Sequence, residues 1–476
     1  MQQPQAQPAE KFSEKFTDHA VNGVNPTEQT ADFVAAHRTE DVRQLALKAK
    51  RVEGLDLPLA LDQIAGWQIA CKKLPQWASC EGIIYPPHIS MEQCSSQFTA
   101  QYKSEIAQTL LTPAVTVRAR MSDSAESDNQ TTKSEPQLSN SGESDNCEVE
   151  MCLRMSDSPE SDTLVARSSM VDLTGGFGVD FSYLARGFSQ ATYVERQRHL
   201  CDLAEHNMAA LGLDQARIVC GDGVEYLRQM DPVDFIYLDP ARRDEHGSRT
   251  YAIEDCTPNV FELRDLLLAK SQYTLVKLSP MLDWRKAVAD FDGTVREVHI
   301  VATGNECKEL LLVLGQQMHE EPSAPRVFCV NDNQRIDYDS AAYTQGLRIG
   351  GKPLPEVKNY LYEPNASIMK AGCFDLVEER FGVTQVGPSS HLFVSATPVA
   401  DFPGRGFAIE AIGGMNKKDI KRLLNGTKQA NIAVRNFPLT APQLRKKLKL
   451  ADGGPVYLFG TTMQGCDHVL LRTSKI

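Results

Sequence analysis

A chain of 476 residues, 42% of them hydrophobic, is too long for one ordinary core and predicts two to four globular domains. No apolar run reaches the roughly 18 residues a membrane span needs, and the opening Met1-Gln-Gln-Pro-Gln-Ala-Gln-Pro8 lacks a signal peptide's basic and apolar regions, so a cytoplasmic location without a membrane partner is expected. The twelve cysteines form no CxxC pair or Cys/His cluster, which argues against a zinc ribbon, an iron–sulfur site or a secreted disulfide framework, and no metal is expected; the net charge of −12 argues against a nucleic-acid partner only until its distribution is seen.

In chain order, residues 1–26 are polar and read as a disordered tail. Residues 27–112 carry apolar residues at helical spacing (Phe33, Val34, Val42, Leu45, Leu47, then Leu61, Ile64, Ala65, Ile69), which predicts an N-terminal helical domain. Within it Ser90-Met-Glu-Gln93 reads as a capping box that opens one helix from Met91 to about Leu110. Residues 113–163 have little to bury. Met121 to Asp162 holds eleven acids against two bases, and Arg120-Met-Ser-Asp-Ser-Ala-Glu-Ser-Asp128 returns as Arg154-Met-Ser-Asp-Ser-Pro-Glu-Ser-Asp162, so this is read as a disordered, duplicated acidic insertion.

From 164 to 320 strands and helices alternate, the signature of a parallel sheet covered on both faces. Strands are predicted near 168–173, 191–195, 216–220, 233–239 and 273–279, then at 296–302 and 309–315. Only Thr303-Gly-Asn-Glu-Cys-Lys308 separates the last two; that is too short for a crossover helix, so they must pair antiparallel. After a linker at Glu320-Glu-Pro-Ser-Ala-Pro325, residues 326–403 read as a looser α+β region. Residues 404–476 read as a compact module: strand 407–412, helix 417–424, strand 429–434, helix 441–448, strands 456–461 and 468–472. Met415 to Ile476 holds twelve bases against three acids, so an acidic protein carries a basic end. Lys417, Lys418, Lys421 and Arg422 gather on adjoining faces of the first of these helices, and Arg445, Lys446, Lys447 and Lys449 do so on the second, which suggests phosphate contacts; a solvated face is the bland alternative.

The sheet's strand ends carry the chemistry. Val171-Asp-Leu-Thr-Gly-Gly-Phe-Gly178 is a strand ending in an acid and a glycine-rich turn, a shape that lets backbone approach a nucleotide-like ligand. Tyr193-Val-Glu195 ends the second strand with a carboxylate placed for ribose hydroxyls, and Cys220-Gly-Asp222 follows the third. Tyr237-Leu-Asp-Pro-Ala-Arg242 ends the fourth beside the topological switch point, and Leu275-Val-Lys-Leu-Ser-Pro280 ends the fifth. Tyr362-Glu-Pro-Asn-Ala-Ser-Ile-Met-Lys370 is a further candidate for the rim of the site. Cys307 has no proline-cysteine signature around it and is rejected as a nucleophile.

Together these motifs resemble a class I S-adenosylmethionine-dependent methyltransferase, and the C-terminal pattern resembles the ferredoxin-like plus THUMP-like tail of a bacterial methyltransferase family. The resemblance implies a Rossmann-like methyltransferase sheet, with parallel strands closed by an antiparallel hairpin, flanked by an N-terminal helical domain and C-terminal α+β domains. Residues 164–320 become the methyltransferase domain, 326–403 the ferredoxin-like domain and 404–476 the THUMP-like domain. The resemblance implies S-adenosylmethionine as cofactor, held by Asp172, Thr174, Gly175, Gly176, Phe177, Gly178, Glu195 and Asp222. Asp172 would meet the ammonium and Asp222 the adenine amine. Asp239, Pro240, Arg242 and Lys277 are the catalytic candidates, Asp239 holding an acceptor for in-line transfer. The sequence departs from the family twice: Thr174 stands where the first glycine is usual, and Ala241 and Arg242 replace a proline and an aromatic. An RNA methyltransferase acting on an rRNA or tRNA base is expected, with Lys417, Lys418, Lys421, Arg422, Arg445, Lys446 and Lys447 holding RNA. A protein or small-molecule methyltransferase, and a non-catalytic RNA-binding protein, stay open.

Overall fold

The computed structural model describes residues 26–48, 52–112, 168–242, 256–316, 324–343, 358–387, 389–465 and 467–476. The expected N-terminal tail and acidic insertion lie outside the described residues. The first described segment is helical: α1 (Glu28–His37), α2 (Val42–Lys48), α3 (Leu57–Lys73), α4 (Pro75–Ser79), α5 (His88–Gln93) and α6 (Gln97–Leu111). The single helix expected from Met91 to Leu110 is broken. Cys94 turns extended, and the Ser96 side chain, not Ser90, caps the second piece by accepting from Thr99 N–H at 3.2 Å. A serine pair ahead of an apolar run was the local signal for that break, and it sets Ser95 in the bend between the two helices.

A nine-stranded sheet follows. Its strands are β1 (Ser169–Asp172), β2 (Gln190–Glu195), β3 (Ala216–Cys220), β4 (Val233–Leu238), β7 (Ser271–Leu278), β8 (Val295–Thr303), β9 (Glu306–Gly315), β10 (Arg326–Asn331) and β11 (Gln334–Asp339), with a short separate ribbon of β5 (Ala241–Arg242) and β6 (Cys256–Thr257). Their order is β11-β10-β8-β9-β7-β4-β1-β2-β3. β3, β2, β1, β4 and β7 run parallel; β9 inserts antiparallel between β7 and β8, so the closing hairpin is folded back into the sheet. This is the methyltransferase strand order, with helices α7 (Val179–Leu184), α8 (Arg198–Ala210), α9 (Gly223–Gln229), α10 (Val260–Lys270) and α11 (Trp284–Asp290) between the strands. The linker expected at 320–325 does not end this unit. β10 pairs parallel with β8, and β11 pairs antiparallel with β10, so residues 326–339 extend the first sheet and leave the ferredoxin-like region to start later. By sequence, residues 326–331 read only as part of a looser α+β region, and their partner strand was not legible.

A second sheet of seven strands contains β12 (Tyr360–Pro364), β13 (Thr384–Gln385), β14 (Phe393–Ser395), β15 (Gly404–Gly413), β16 (Asn431–Arg435), β17 (Val456–Thr462) and β18 (His468–Lys475). Helices α12 (Ala366–Ala371) and α13 (Phe374–Phe381) precede β13, while α14 (Lys417–Leu424) and α15 (Ala441–Leu448) flank β16. β12 pairs antiparallel with β15, which welds the two C-terminal regions into one sheet. Buried Glu363 of β12 strengthens the weld: it accepts from Arg405 and from Arg435, the latter at 2.7 Å.

The cores cross the expected domain boundaries. Trp77, Tyr85, Tyr102 and Ile106 of the helical segment share one apolar cluster with Phe181, Tyr193 and Phe235 on one face of the first sheet. On the other face Tyr362, Ile368, Leu376 and Phe393 join Ile236, Val276 and Trp284. Polar bonds seal the first contact: Asn207 both donates to Ile84 O (2.8 Å) and accepts from its N–H (2.9 Å), and Trp77 Nε1 donates to Ser182 Oγ at 3.1 Å. Neither flanking region is therefore a loosely tethered module, since separating it would expose continuous apolar surface.

Candidate active site

A cavity of about 750 Å³ opens at the carboxyl ends of β1, β2, β4 and β7. The glycine turn forms one wall. Gly175 lies so close to the Tyr193 ring that a Cβ there would sit 2.1 Å from it, so only glycine fits. Gly178 takes φ +75° as the N-cap of α7, a conformation that favours glycine. Thr174, the departure from the usual glycine, has a clear structural use. Its hydroxyl accepts from Asp239 N–H at 2.7 Å and so ties the turn to the end of β4.

Asp172 ends β1 with only 1% of its surface exposed, yet it lines the cavity. Its Oδ1 accepts from Thr174 N–H at 2.9 Å. Burial holds its carboxyl well above the usual carboxylate range, and the nearby charges of Asp180 and Asp239 push the same way, against the lowering effect of the Thr174 bond. Such a group gains most from a cation.

Glu195, at the end of β2, accepts from Gly176 N–H (3.1 Å) on Oε2 and from both the backbone N–H (2.9 Å) and the side-chain amide (3.4 Å) of Gln197 on Oε1, which fixes the carboxylate while leaving Oε2 a further lone pair. Asp222 caps α9 with Oδ1, accepting from Val224 and Glu225 N–H at 2.8 and 3.0 Å. Its Oδ2 remains for a ligand. Phe177 and Pro240 line the same cavity.

The opposite end of the cavity is ionic. Asp239 Oδ2 receives Lys277 Nζ at 2.7 Å. Behind that pair stand residues the sequence reading did not single out: Ser95, Lys103, Asp180, Tyr237 and Glu309. Lys103 has no exposed side-chain surface; its ammonium lies 2.6 Å from Glu309 Oε2 and 3.0 Å from Asp180 Oδ1. Tyr237 OH donates to Asp180 Oδ2 at 2.7 Å. Burial alone would raise the Asp180 carboxyl, but Lys103 and Lys277 outweigh it and hold the group below the ordinary range. The converse holds for Lys277: burial would lower it, and Asp239, Asp180 and Glu309 hold it well above the ordinary lysine range. Lys277 is therefore an ammonium through the physiological range.

Ala241 also lines the cavity, and with Arg242 it forms β5, paired antiparallel with β6 at the edge of the described residues. The proposed rim segment 362–370 does not line the cavity: Tyr362 and Glu363 are buried in the weld between the sheets, and Asn365 caps α12 by accepting from Ile368 N–H. Burial pushes the Cys307 thiol up to about 11, which suits its dismissal as a nucleophile.

On the second sheet, α14 and α15 pack against one apolar cluster through Leu423, Leu444 and Leu448, so both lie on the same face. Lys417, Lys418, Lys421, Lys446, Lys447 and Lys449 are exposed. Two of the expected RNA contacts are already engaged: Arg422 with Asp419 and the Ile412 carbonyl, and Arg445 with Asp452. Among the described residues no His/Cys/Asp/Glu group could hold a metal, and no helix is long and apolar enough to cross a membrane.

Residues 360–403 match a ferredoxin-like domain family and residues 404–475 a THUMP domain-like family. The chain is similar in structure to a candidate methyltransferase from Porphyromonas gingivalis W83, with 29% identity over 94% of this chain and 97% of that chain and a TM-score of 0.72. It also matches an S-adenosylmethionine-dependent methyltransferase from Agrobacterium tumefaciens (16% identity, 32% of this chain, 56% of that chain, TM-score 0.25) and an rRNA methylase from Streptococcus thermophilus (13%, 32%, 89%, 0.24), likenesses too slight to bear on function. No curated protein matches the chain.

Proposed function

We propose that this chain, which joins a class I methyltransferase fold to ferredoxin-like and THUMP domain-like regions, transfers a methyl group from S-adenosylmethionine to a base of an RNA. One observation carries the reading: Asp172, the glycine turn, Glu195, Asp222 and Asp239 line a single cavity. The cofactor fits that donor set. A buried carboxyl held high by burial and by two neighbouring carboxylates suits an ammonium, and the space kept by Gly175 suits a ligand laid along the turn. Glu195 accepts from a ribose hydroxyl on its Oε2, and Asp222 Oδ2 accepts from the adenine amine. The sulfonium supplies the activated methyl group.

The protein's own task is then orientation. Asp239, fixed through its backbone by Thr174 and through its carboxylate by Lys277, presents Oδ1 to a hydrogen of the acceptor and so aims the acceptor's lone pair. Pro240 leaves the Asp239–Pro240 peptide without an N–H at the cavity wall. The exposed lysines of α14 and α15, within the THUMP domain-like region, supply the sequence-independent attraction for phosphate.

Two measurements on the full chain test this. Calorimetry should show S-adenosylmethionine binding, and radiolabelled methyl should pass to total RNA from a strain lacking the protein. Absence of cofactor binding overturns the enzyme reading. Binding with labelling of protein or small metabolites instead of RNA overturns the RNA reading alone.

A further inference from the structure

We propose that Lys103, from the N-terminal helical region, is a positioning residue for methyl transfer: by occupying Asp180 and Glu309 it leaves Lys277 to hold Asp239. The proposal rests on the reading of Asp239 as the group that orients the acceptor.

The distances carry the argument. Lys277 Nζ has three carboxylates around it, at 2.7 Å (Asp239), 3.6 Å (Asp180) and 4.0 Å (Glu309). Asp180 and Glu309 are the more deeply buried of the three, with side chains 11% and 5% exposed against 40% for Asp239. A lone ammonium in that setting would be drawn to the buried pair, where charge is least screened. It is not, because Lys103 takes Asp180 Oδ1 and Glu309 Oε2 first, at 3.0 and 2.6 Å. Ser95 Oγ completes the division. It accepts from Lys103 at 3.2 Å and from Lys277 at 3.3 Å, and it has a hydrogen to give to Asp180 (2.9 Å) or Glu309 (3.1 Å). The hydroxyl thus stands between the two ammonium groups and keeps each beside its own carboxylates.

Lys103 does not line the cavity, so it acts only through Lys277. Ser95 and Lys103 come from the bend and from α6, and Ser95 lies 85, 182 and 214 residues from Asp180, Lys277 and Glu309 in the chain, Lys103 206 from Glu309. The acceptor site is therefore incomplete without the helical region.

The test is Lys103→Gln, which removes the charge but keeps a donor in the core. With S-adenosylmethionine and RNA affinities close to wild type, kcat should fall about thirtyfold as the acceptor's holder loses its fixed place. The double variant Lys103→Gln/Glu309→Gln removes one competing carboxylate as well and should recover part of that loss, which a purely structural defect would not. Crystal structures give a reading independent of turnover: in Lys103→Gln the Lys277 ammonium should leave Asp239 for Asp180 and Glu309. Should that variant not fold, Ser95→Ala takes the shared oxygen away without moving a charge, and it should show the same displacement with a smaller loss of kcat. Wild-type kcat, or an unmoved Lys277–Asp239 pair, overturns the proposal. If wild-type protein methylates no RNA, the functional reading fails by itself and the crystal structures still decide the positioning.

Discussion

The half of the cavity proposed to hold the cofactor and the half proposed to hold the acceptor are built in opposite ways. Asp172, Glu195 and Asp222 each end a strand or open a helix, and each spends an oxygen on a backbone N–H two residues ahead in the chain: Thr174, Gln197, Val224. The acceptor half draws Ser95, Lys103, Asp180, Asp239, Lys277 and Glu309 from six places in the chain and satisfies them with one another. Acids fixed by their own backbone keep their geometry when a neighbour changes. Acids fixed by a shared ionic cluster do not, because removing one charge leaves others buried and unpaired. The acceptor half should accordingly be the more fragile in rate, and the cofactor half the more separable in binding.

The largest effect tests the first part of that contrast. Asp239→Ala should lower turnover by about a hundredfold or more while leaving S-adenosylmethionine affinity near wild type, since the loss is of orientation alone. Equal losses in single-turnover rate and in calorimetric affinity would show that the two halves are not separable.

A charge reversal outside both halves should come next in size. Changing Lys418, Lys421, Lys446 and Lys447 to Glu should weaken RNA binding steeply and flatten the log–log salt slope by about 3 if each meets one phosphate of a single strand. Cofactor affinity, and kcat at saturating RNA, should be unmoved in filter-binding and kinetic assays. An unchanged salt slope would mean that this face does not hold RNA.

The smallest effect has two signs. Asp172→Asn should weaken S-adenosylmethionine binding about tenfold, or ~1.4 kcal/mol, because a charge-assisted partner of the ammonium is lost. It should also stabilise the ligand-free protein near neutral pH. A carboxyl whose folded-state pKa is raised contributes stability that is fully present below its unfolded value and is lost as pH rises through its folded value, and Asp172 is such a group. By the same linkage, cofactor binding should tighten as pH rises through that folded value, since the ammonium selects the anion, and Asp172→Asn should abolish this dependence. Calorimetry across pH, paired with melting curves, checks both signs.

Much of the fold and of the cofactor half was legible because the signals are local. Strand ends, the glycine turn and the helices at 417–424 and 441–448 follow from side-chain period, capping residues and backbone sterics within a few residues. Legibility stopped where the partner lay far along the chain. The break at Cys94 to Ser96 reads locally as one of two serine caps, and only its packing against α7 and β9, where Ser95 meets Asp180 and Glu309, gives the bend its use. Residues 326–331 read only as part of a looser α+β region, and nothing in them says that β10 extends the first sheet, as edge pairing depends on which edge the chain reaches. Lys103 is the sharpest case. By itself it is an ordinary helical lysine, and only the tertiary structure, by placing two buried carboxylates against it, makes its charge necessary. The sequence by itself therefore determined the elements and the acids that close on their own backbone; which charges share a buried site was decided by the tertiary structure, because Coulomb energy depends on distance in space and not on separation along the chain.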